Sequence, residues 1–502
     1  MKANNATAHT DLRTRWNNSF WHFCFSKAQL WDWILVFGIC LIGYIVIRLA
    51  YPYPVTMTDS FTYLRAAIDE QFSAFRPYGF SEWLRVIHVF STSIFSIFIV
   101  QTLLYALCCT LLILALKRYF PIRPTWLRWT ISVFIVASPV AFYMLNAIMS
   151  DALFGCMMIL MIAMLIVLAH EGSYSALLLY FGAFFVALFT RYSGMFFIAV
   201  LLPILFFIPH KPCRYIGIVG TLLISLFFYQ NICNNMQEIT HRRQFSTGFD
   251  GWQWANNGMH VLPFVDEDKA PKKNMQLLHE ACLASRDYIC QKTDSGHVAS
   301  AAFLWDKQSP LKQYLFYYMQ TRRVSYVEAW AKLGGGIYAD YGKWLIKQHP
   351  IEFCRYYLVH NTAKVFYPDC LELMNSYSDI PADNREVQEW FGIDAEDIHQ
   401  HPSYPLYEKY INPILPALEL VLWIVMFGAL LAMLIRWKHW SMTRPQRIVF
   451  WTILLLGFVY CGSTAFASPI TIRNWFPLQA VKLAFTTVCL YFALQTKNTT
   501  NA

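Results

Sequence analysis

Ten stretches of this chain are too apolar to sit in water: 31–50, 89–116, 126–147, 152–169, 175–190, 195–208, 215–232, 414–434, 448–467 and 475–494. A bilayer crossing takes about 20 mostly apolar residues. Such runs are read as membrane-spanning helices. Only 14% of the 502 residues are charged, where soluble domains carry roughly a quarter. The chain is therefore expected to be a polytopic α-helical membrane protein with about ten transmembrane helices. Its net charge of +9 does not point to nucleic acid, because cytoplasmic loops gather Lys and Arg for insertion reasons alone.

The loops test that division. Basic loops at 117–128, 210–214 and 436–447 fall on one side of a ten-span arrangement, together with Arg13, Arg15 and Lys27. The positive-inside rule puts that side, with both termini, in the cytoplasm. The first run has no small-residue cleavage site after it, so it reads as a retained anchor. The resulting organisation is a cytoplasmic segment 1–30, a transmembrane module 31–232 with a first outer loop at 51–88, an extracytoplasmic domain 233–411, C-terminal transmembrane helices 412–495 and a cytoplasmic tail 496–502. The spans look largely free of ionisable residues.

Segment 233–411 is polar enough to be a mainly helical domain of its own. Helix-like patterning covers 311–333 and 341–348, the latter stopping at His349-Pro350. Gly334-Gly335-Gly336 lacks the Lys-Ser/Thr ending and the preceding strand of a phosphate loop, and reads as a break between helices. The helices from 341 to about 365 read as an amphipathic pair lying over the membrane face; the rival reading has Tyr338, Lys343 or Lys364 closing over a donor. Cys282 and Cys290 could pair if this segment meets an oxidising compartment. No Cys/His spacing suits structural zinc.

The outer loops carry the candidate chemistry. Asp59, in Thr58-Asp59-Ser60, precedes the helical spacing of Phe61, Leu64 and Ile68. Either Asp59 or Ser60 suits a helix N-cap; the other reading of Asp59 is a carboxylate placed to take a proton from an acceptor hydroxyl. Arg76-Pro77-Tyr78-Gly79-Phe80 reads as a tight turn, its Arg76 reaching either lipid headgroups or a substrate phosphate. Asp151 opens the fourth span, where the helix dipole favours an acid; otherwise it is a second carboxylate facing the cavity of Asp59. Arg191 and Arg473 lie in short outer turns, where topology disfavours arginine. The planar guanidinium donates two bonds at once to phosphate, and three such arginines together make a phosphate pocket. Tyr63 and Tyr338 complete the expected substrate-binding set.

In order, spacing and sidedness these features resemble the GT-C superfamily of membrane glycosyltransferases, in particular the bacterial protein mannosyltransferase and aminoarabinose transferase type. The matching positions are Asp59 in TDSFTYLRAA, the Arg76–Phe80 turn, Asp151 in SDALFGCMMIL, the Arg191–Gly194 turn and Arg473–Trp475. Arg76 is followed by Pro-Tyr-Gly where many relatives have a double-Pro or Pro-Gly form. A single acid, Asp59, stands where some carry an acidic pair. The resemblance covers the first seven spans and, more weakly, the last turn, and it leaves 233–411 unmatched. It implies a bacterial inner-membrane enzyme facing the periplasm or exterior. Such an enzyme transfers a sugar from a polyprenyl-phosphate-linked donor to a lipid, glycan or protein acceptor, probing membrane lipids but no nucleic acid. Asp59 would be the base of an inverting transfer. No cofactor is required by this reading; a divalent cation, if one is used, would be held by Asp59 and Asp151. The rivals are an O-antigen polymerase or ligase, which relies on loop Arg or His without an early acid, a lipid-linked glycan transporter or flippase, and a structural scaffold.

Overall fold

The computed structural model describes residues 19–51, 53–73, 75–264, 271–294, 301–368, 385–393, 404–411 and 413–495. The expected termini 1–18 and 496–502 lie outside them. The described chain is almost entirely helical, and its only β-pairing is a single parallel bridge between Val55 and Ala147. Among the described residues eight helical segments are long and apolar enough to cross a membrane: Lys27–Leu49, Ile94–Tyr119, Thr125–Leu145, Ser150–Glu171, Lys211–Thr240, Lys409–Ile435, Arg444–Ala467 and Ile472–Ala493. Two shorter apolar helical segments, Tyr174–Thr190 and Tyr192–Leu205, stand where the fifth and sixth spans are expected. The protein is a polytopic α-helical membrane protein with a large helical domain at one end.

Burial sorts these helices into centre and rim. Ser150–Glu171 and the final Trp475–Ala493 helix are buried along nearly their whole length, whereas Lys27–Leu49 and Lys211–Thr240 leave most of their apolar side chains exposed. The rim helices present those residues where lipid tails would lie.

The third span is broken. Its first helix, Thr125–Val136, ends before Ser138-Pro139, and Pro139 has no N–H to continue the ladder. Carbonyls at the break, and at the end of the second helix Pro139–Leu145, are met by a neighbouring span. Tyr105 donates to the Ile135 and Val136 carbonyls at 3.1 Å each. Gln101 donates to the Leu145 carbonyl at 2.7 Å. Buried polar side chains here satisfy backbone that water cannot reach.

The expectation that the spans hold few ionisable groups needs one correction. Lys482 of the last span donates to Glu419 at 2.5 Å, and both side chains are essentially sealed, at 0% and 1% exposure. The ammonium lies 5.2 Å from the ring centres of both Trp423 and Trp475. This is a closed strut between two spans.

The segment between Thr240 and the eighth span builds a second apolar core around Trp252, Trp330, Tyr338 and Tyr341. The Phe249–Met259 helix lies against Ala339–Gln348 at backbone distance: a Cβ on Gly342 would stand 2.2 Å from the Trp254 carbonyl. The expected 311–333 helix is two helices, Pro310–Arg322 and Tyr326–Leu333, because Arg323 adopts a left-handed φ of 51°. The predicted glycine break is present: Gly336 leaves helical geometry within Gly334–Tyr338. Cys282 and Cys290 are free thiols, so that pairing is not formed. Burial pushes the Cys282 thiol up to about 12.

Candidate functional site

Two backbone devices gather the turns that carry these residues. In the Val55–Ala147 bridge, Val55 donates to the Asn146 carbonyl at 2.7 Å and accepts from Ile148 at 3.0 Å. It ties the chain entering the Thr58–Ile68 helix to the chain entering Ser150–Glu171. Asp59 and Asp151 thereby sit in the first turns of two neighbouring helices, where helix dipoles favour negative charge. The second device is Gly79. A Cβ there would stand 2.5 Å from the Phe189 carbonyl oxygen. Only glycine lets the Arg76 turn approach the end of the Tyr174–Thr190 helix, which carries Arg191 as its C-cap.

The capping role falls to Ser60 and not to Asp59. Ser60 Oγ takes the Met57 N–H, at 2.9 Å. The Asp59 carboxylate instead bridges two arginines. One oxygen pairs with Arg76, and the other accepts from Arg473 Nη1 at 2.7 Å. Arg473 belongs to a residue stretch 414 positions away in sequence. Asp151 pairs with Arg191. Tyr63 joins the halves: its hydroxyl donates to Ser150 Oγ at 2.8 Å and accepts from Arg76 Nη1 at 3.5 Å. The structure thus brings together Asp59, Tyr63, Arg76, Asp151, Arg191 and Arg473.

The two acids differ in access. The Asp59 side chain is 17% exposed and that of Asp151 1%. Asp59 is therefore the acid a ligand can reach, while Asp151 holds Arg191 in place. Burial works to raise the Asp59 carboxyl, but Arg473, Arg76 and Arg191 outweigh it and hold the group below its ordinary 3.8. Asp151 Oδ2 and Arg76 Nε are buried with no hydrogen-bond partner.

Among the described residues no three His, Cys, Asp or Glu side chains gather in a metal-binding group. Two carboxylates are already engaged by three guanidinium groups, so a divalent cation would enter a field of like charge. The Asp59 and Asp151 pair does not fit a metal site as it stands.

Tyr338 is not part of this cluster. It is fully buried in the core of the polar domain, its hydroxyl donating to the Leu311 carbonyl at 2.6 Å. Its ring meets Trp252 edge-on, centres 4.4 Å apart. Ser150 was missed because serine beside Asp151 reads as an ordinary helix opening. Tyr460 was missed because a tyrosine inside an apolar run carries no signal; its ring stacks on Phe154, centres 6.5 Å apart, and the Arg191 guanidinium lies over that same Phe154 ring.

No family model matches the chain, and no curated protein does. Among solved structures, the crystal structure of ArnT from Cupriavidus metallidurans bound to undecaprenyl phosphate aligns over 93% of this chain and 78% of that one, at 12% identity and a TM-score of 0.34.

Proposed function

We propose that this protein is a GT-C-type glycosyltransferase that moves a sugar from a polyprenyl-phosphate-linked donor to a lipid, glycan or protein acceptor at the outer membrane face. The observation that carries the reading is the Asp59 carboxylate held between Arg76 and Arg473. An exposed acid alone would suit a cap, and exposed arginines alone would suit lipid headgroups. An acid and two guanidinium groups sharing one pocket suit a reaction that deprotonates a nucleophile and expels a phosphate.

The chemistry follows from exchange of partners. At rest, the arginines keep Asp59 ionised and too weakly basic to take a hydroxyl proton. A lipid phosphate entering the pocket competes for Arg76 and Arg473, since Arg binds phosphate through paired charged hydrogen bonds. Asp59 then loses the cations that depress it, and its basicity rises toward the range a general base needs. The acceptor oxygen attacks the anomeric carbon and gives its proton to Asp59. The bond from that carbon to the phosphate oxygen breaks, and the electron pair leaves with the phosphate. Arg76 and Arg473 stabilise the charge that develops there. Attack opposite to departure inverts the anomeric centre.

A transporter would line a path with ionisable groups. The ionisable pair inside this bundle, Lys482 with Glu419, is sealed and mutually satisfied, which favours the enzyme. Mass spectrometry of glycolipids and glycans from cells with and without the gene tests the proposal. Loss of one sugar from a defined acceptor supports it and names both substrates. An unchanged glycan profile together with no binding of undecaprenyl phosphate by the purified protein overturns it.

A further inference from the structure

The Arg444–Ala467 helix ends just before the turn that carries Arg473, and its last carbonyls have no helical partners. Two asparagines from the polar domain supply the missing donors. Asn257 Nδ2, on Phe249–Met259, donates to the Phe466 carbonyl at 2.9 Å and the Ala467 carbonyl at 3.2 Å. Asn361 Nδ2, on Val359–Phe366, donates to the Ala465 carbonyl at 2.7 Å and the Ser468 carbonyl at 2.8 Å. Asn361 Oδ1 also accepts the Ile470 N–H at 2.8 Å.

Asn361 is fully buried. Both amide hydrogens and the amide oxygen are used on one six-residue stretch, from Ala465 to Ile470. Beyond it the chain turns through Thr471 and Asn474, where Asn474 Oδ1 accepts the Thr471 N–H at 3.0 Å. Between these two fixed points Arg473 projects to Asp59. The aromatic neighbours reinforce the contact: Phe466 meets Trp254 and Phe353 of the polar domain edge-on, centres 5.1 and 6.0 Å apart.

We propose that Asn361 is a positioning residue that holds the Arg473 turn in register with Asp59, so that the polar domain sets the charge partner of the candidate base. The claim concerns the same site as the proposed glycosyl transfer and gains its functional meaning from that reading, but its geometry stands without any substrate. The groups facing Asp59 are Arg76 on its own loop, Arg473 on the last turn, and the Arg191–Asp151 pair with Tyr63 beside them. Of these, only Arg473 depends on Asn361 for its backbone.

The test reads the Asp59 proton directly and uses no sugar donor. Dicyclohexylcarbodiimide adds to protonated carboxyl groups. Its attachment to Asp59 in the full-length protein, in detergent micelles, is followed by peptide mass spectrometry against pH. Arg473→Gln removes the guanidinium and is expected to move the labelling midpoint upward by about one pH unit or more. Asn361→Leu, which keeps the volume and removes all three hydrogen bonds, is expected to move it in the same direction. The double variant is expected to go no further than Arg473→Gln alone. A buried residue with a merely structural role would lower the unfolding temperature and leave the midpoint where it was. Should Asn361→Leu not give monodisperse protein, Asn361→Ser serves, since it is small enough to be accommodated and cannot span both carbonyls. A wild-type midpoint in the Asn361 variant, with Arg473→Gln shifted, overturns the proposal; so does an unshifted Arg473→Gln. Failure of the glycosyl-transfer reading would show in the glycan profile and leave these midpoints untouched.

Discussion

Removing either member of the Glu419–Lys482 strut should be far more harmful than removing both. The pair is 2.5 Å apart with both side chains sealed, so Glu419→Gln strands an ammonium among Trp423, Trp475 and apolar helices. Breaking a buried pair in this way costs about 3–5 kcal/mol. The two tryptophans, each 5.2 Å from the ammonium, offset part of that, since a desolvated cation–π contact is worth about 2 kcal/mol. The expected loss for Glu419→Gln is therefore toward the lower end, about 3 kcal/mol. Lys482→Met strands a carboxylate that has no such offset and should lose about 5 kcal/mol. The double variant Glu419→Leu/Lys482→Met leaves no charge to solvate and should return to within about 1–2 kcal/mol of wild type. Unfolding free energies from denaturant titration in mixed micelles provide the measurement. Additive losses in the double variant would refute the reasoning, because they would mean that neither charge is stranded when its partner is removed.

Four further outcomes follow from the site. Asp59→Asn should lower sugar transfer by about 10²–10⁴-fold, the usual contribution of a general base; full activity in this variant would remove Asp59 from the mechanism. The Asp59 carboxyl is held below 3.8 in the folded chain, so its ion pairs contribute stability that is present above that value and lost as pH falls through the lower folded-state value. Acid unfolding curves of wild type and Asp59→Asn should accordingly differ above pH ~4 and converge below it. Gly79→Val forces a side chain onto the Phe189 carbonyl and should abolish monodisperse protein on size exclusion. Tyr338→Phe removes a second donor from the Leu311 carbonyl, which keeps its place in the Pro310–Arg322 helix, and should cost about 0.5–1.5 kcal/mol, with undecaprenyl phosphate binding unchanged in a thermal-shift titration.

Much of the membrane architecture could be read from the chain because lipid is an unforgiving solvent. Apolar length is a strong, local signal, and all ten expected spans have an apolar helical counterpart among the described residues. The boundaries were less legible where side chains from other helices decide them. The 89–116 run contains a break at Ser91 to Ser93, between Gly79–Phe90 and Ile94–Tyr119, which hydropathy alone does not show. At the site, Asp59, Arg76, Asp151, Arg191 and Arg473 were each visible as charges between or at the ends of apolar runs. Who pairs with whom was not, since the Asp59–Arg473 contact joins opposite ends of the chain. Tyr338 was misplaced because an aromatic next to a glycine break looks alike in a core and in a binding cleft. Asn361 left no trace in sequence, as its three bonds all go to backbone and so carry no complementary residue type.

The one-residue bridge between Val55 and Ala147 sets a rule of its own. Its hydrogen bonds run through main chain, so the side chains at those two positions can change with little effect on the link. Chain length is another matter. From Val55 to Asp59, and from Ala147 to Asp151, the count is four residues in each segment. Adding or deleting one residue in either would rotate that acid about its helix axis by about 100°. Both side chains are buried, so size-conserving substitution there should be tolerated and insertion ruinous, and a scan of single-residue insertions through 52–58 and 146–150 would map the rule directly.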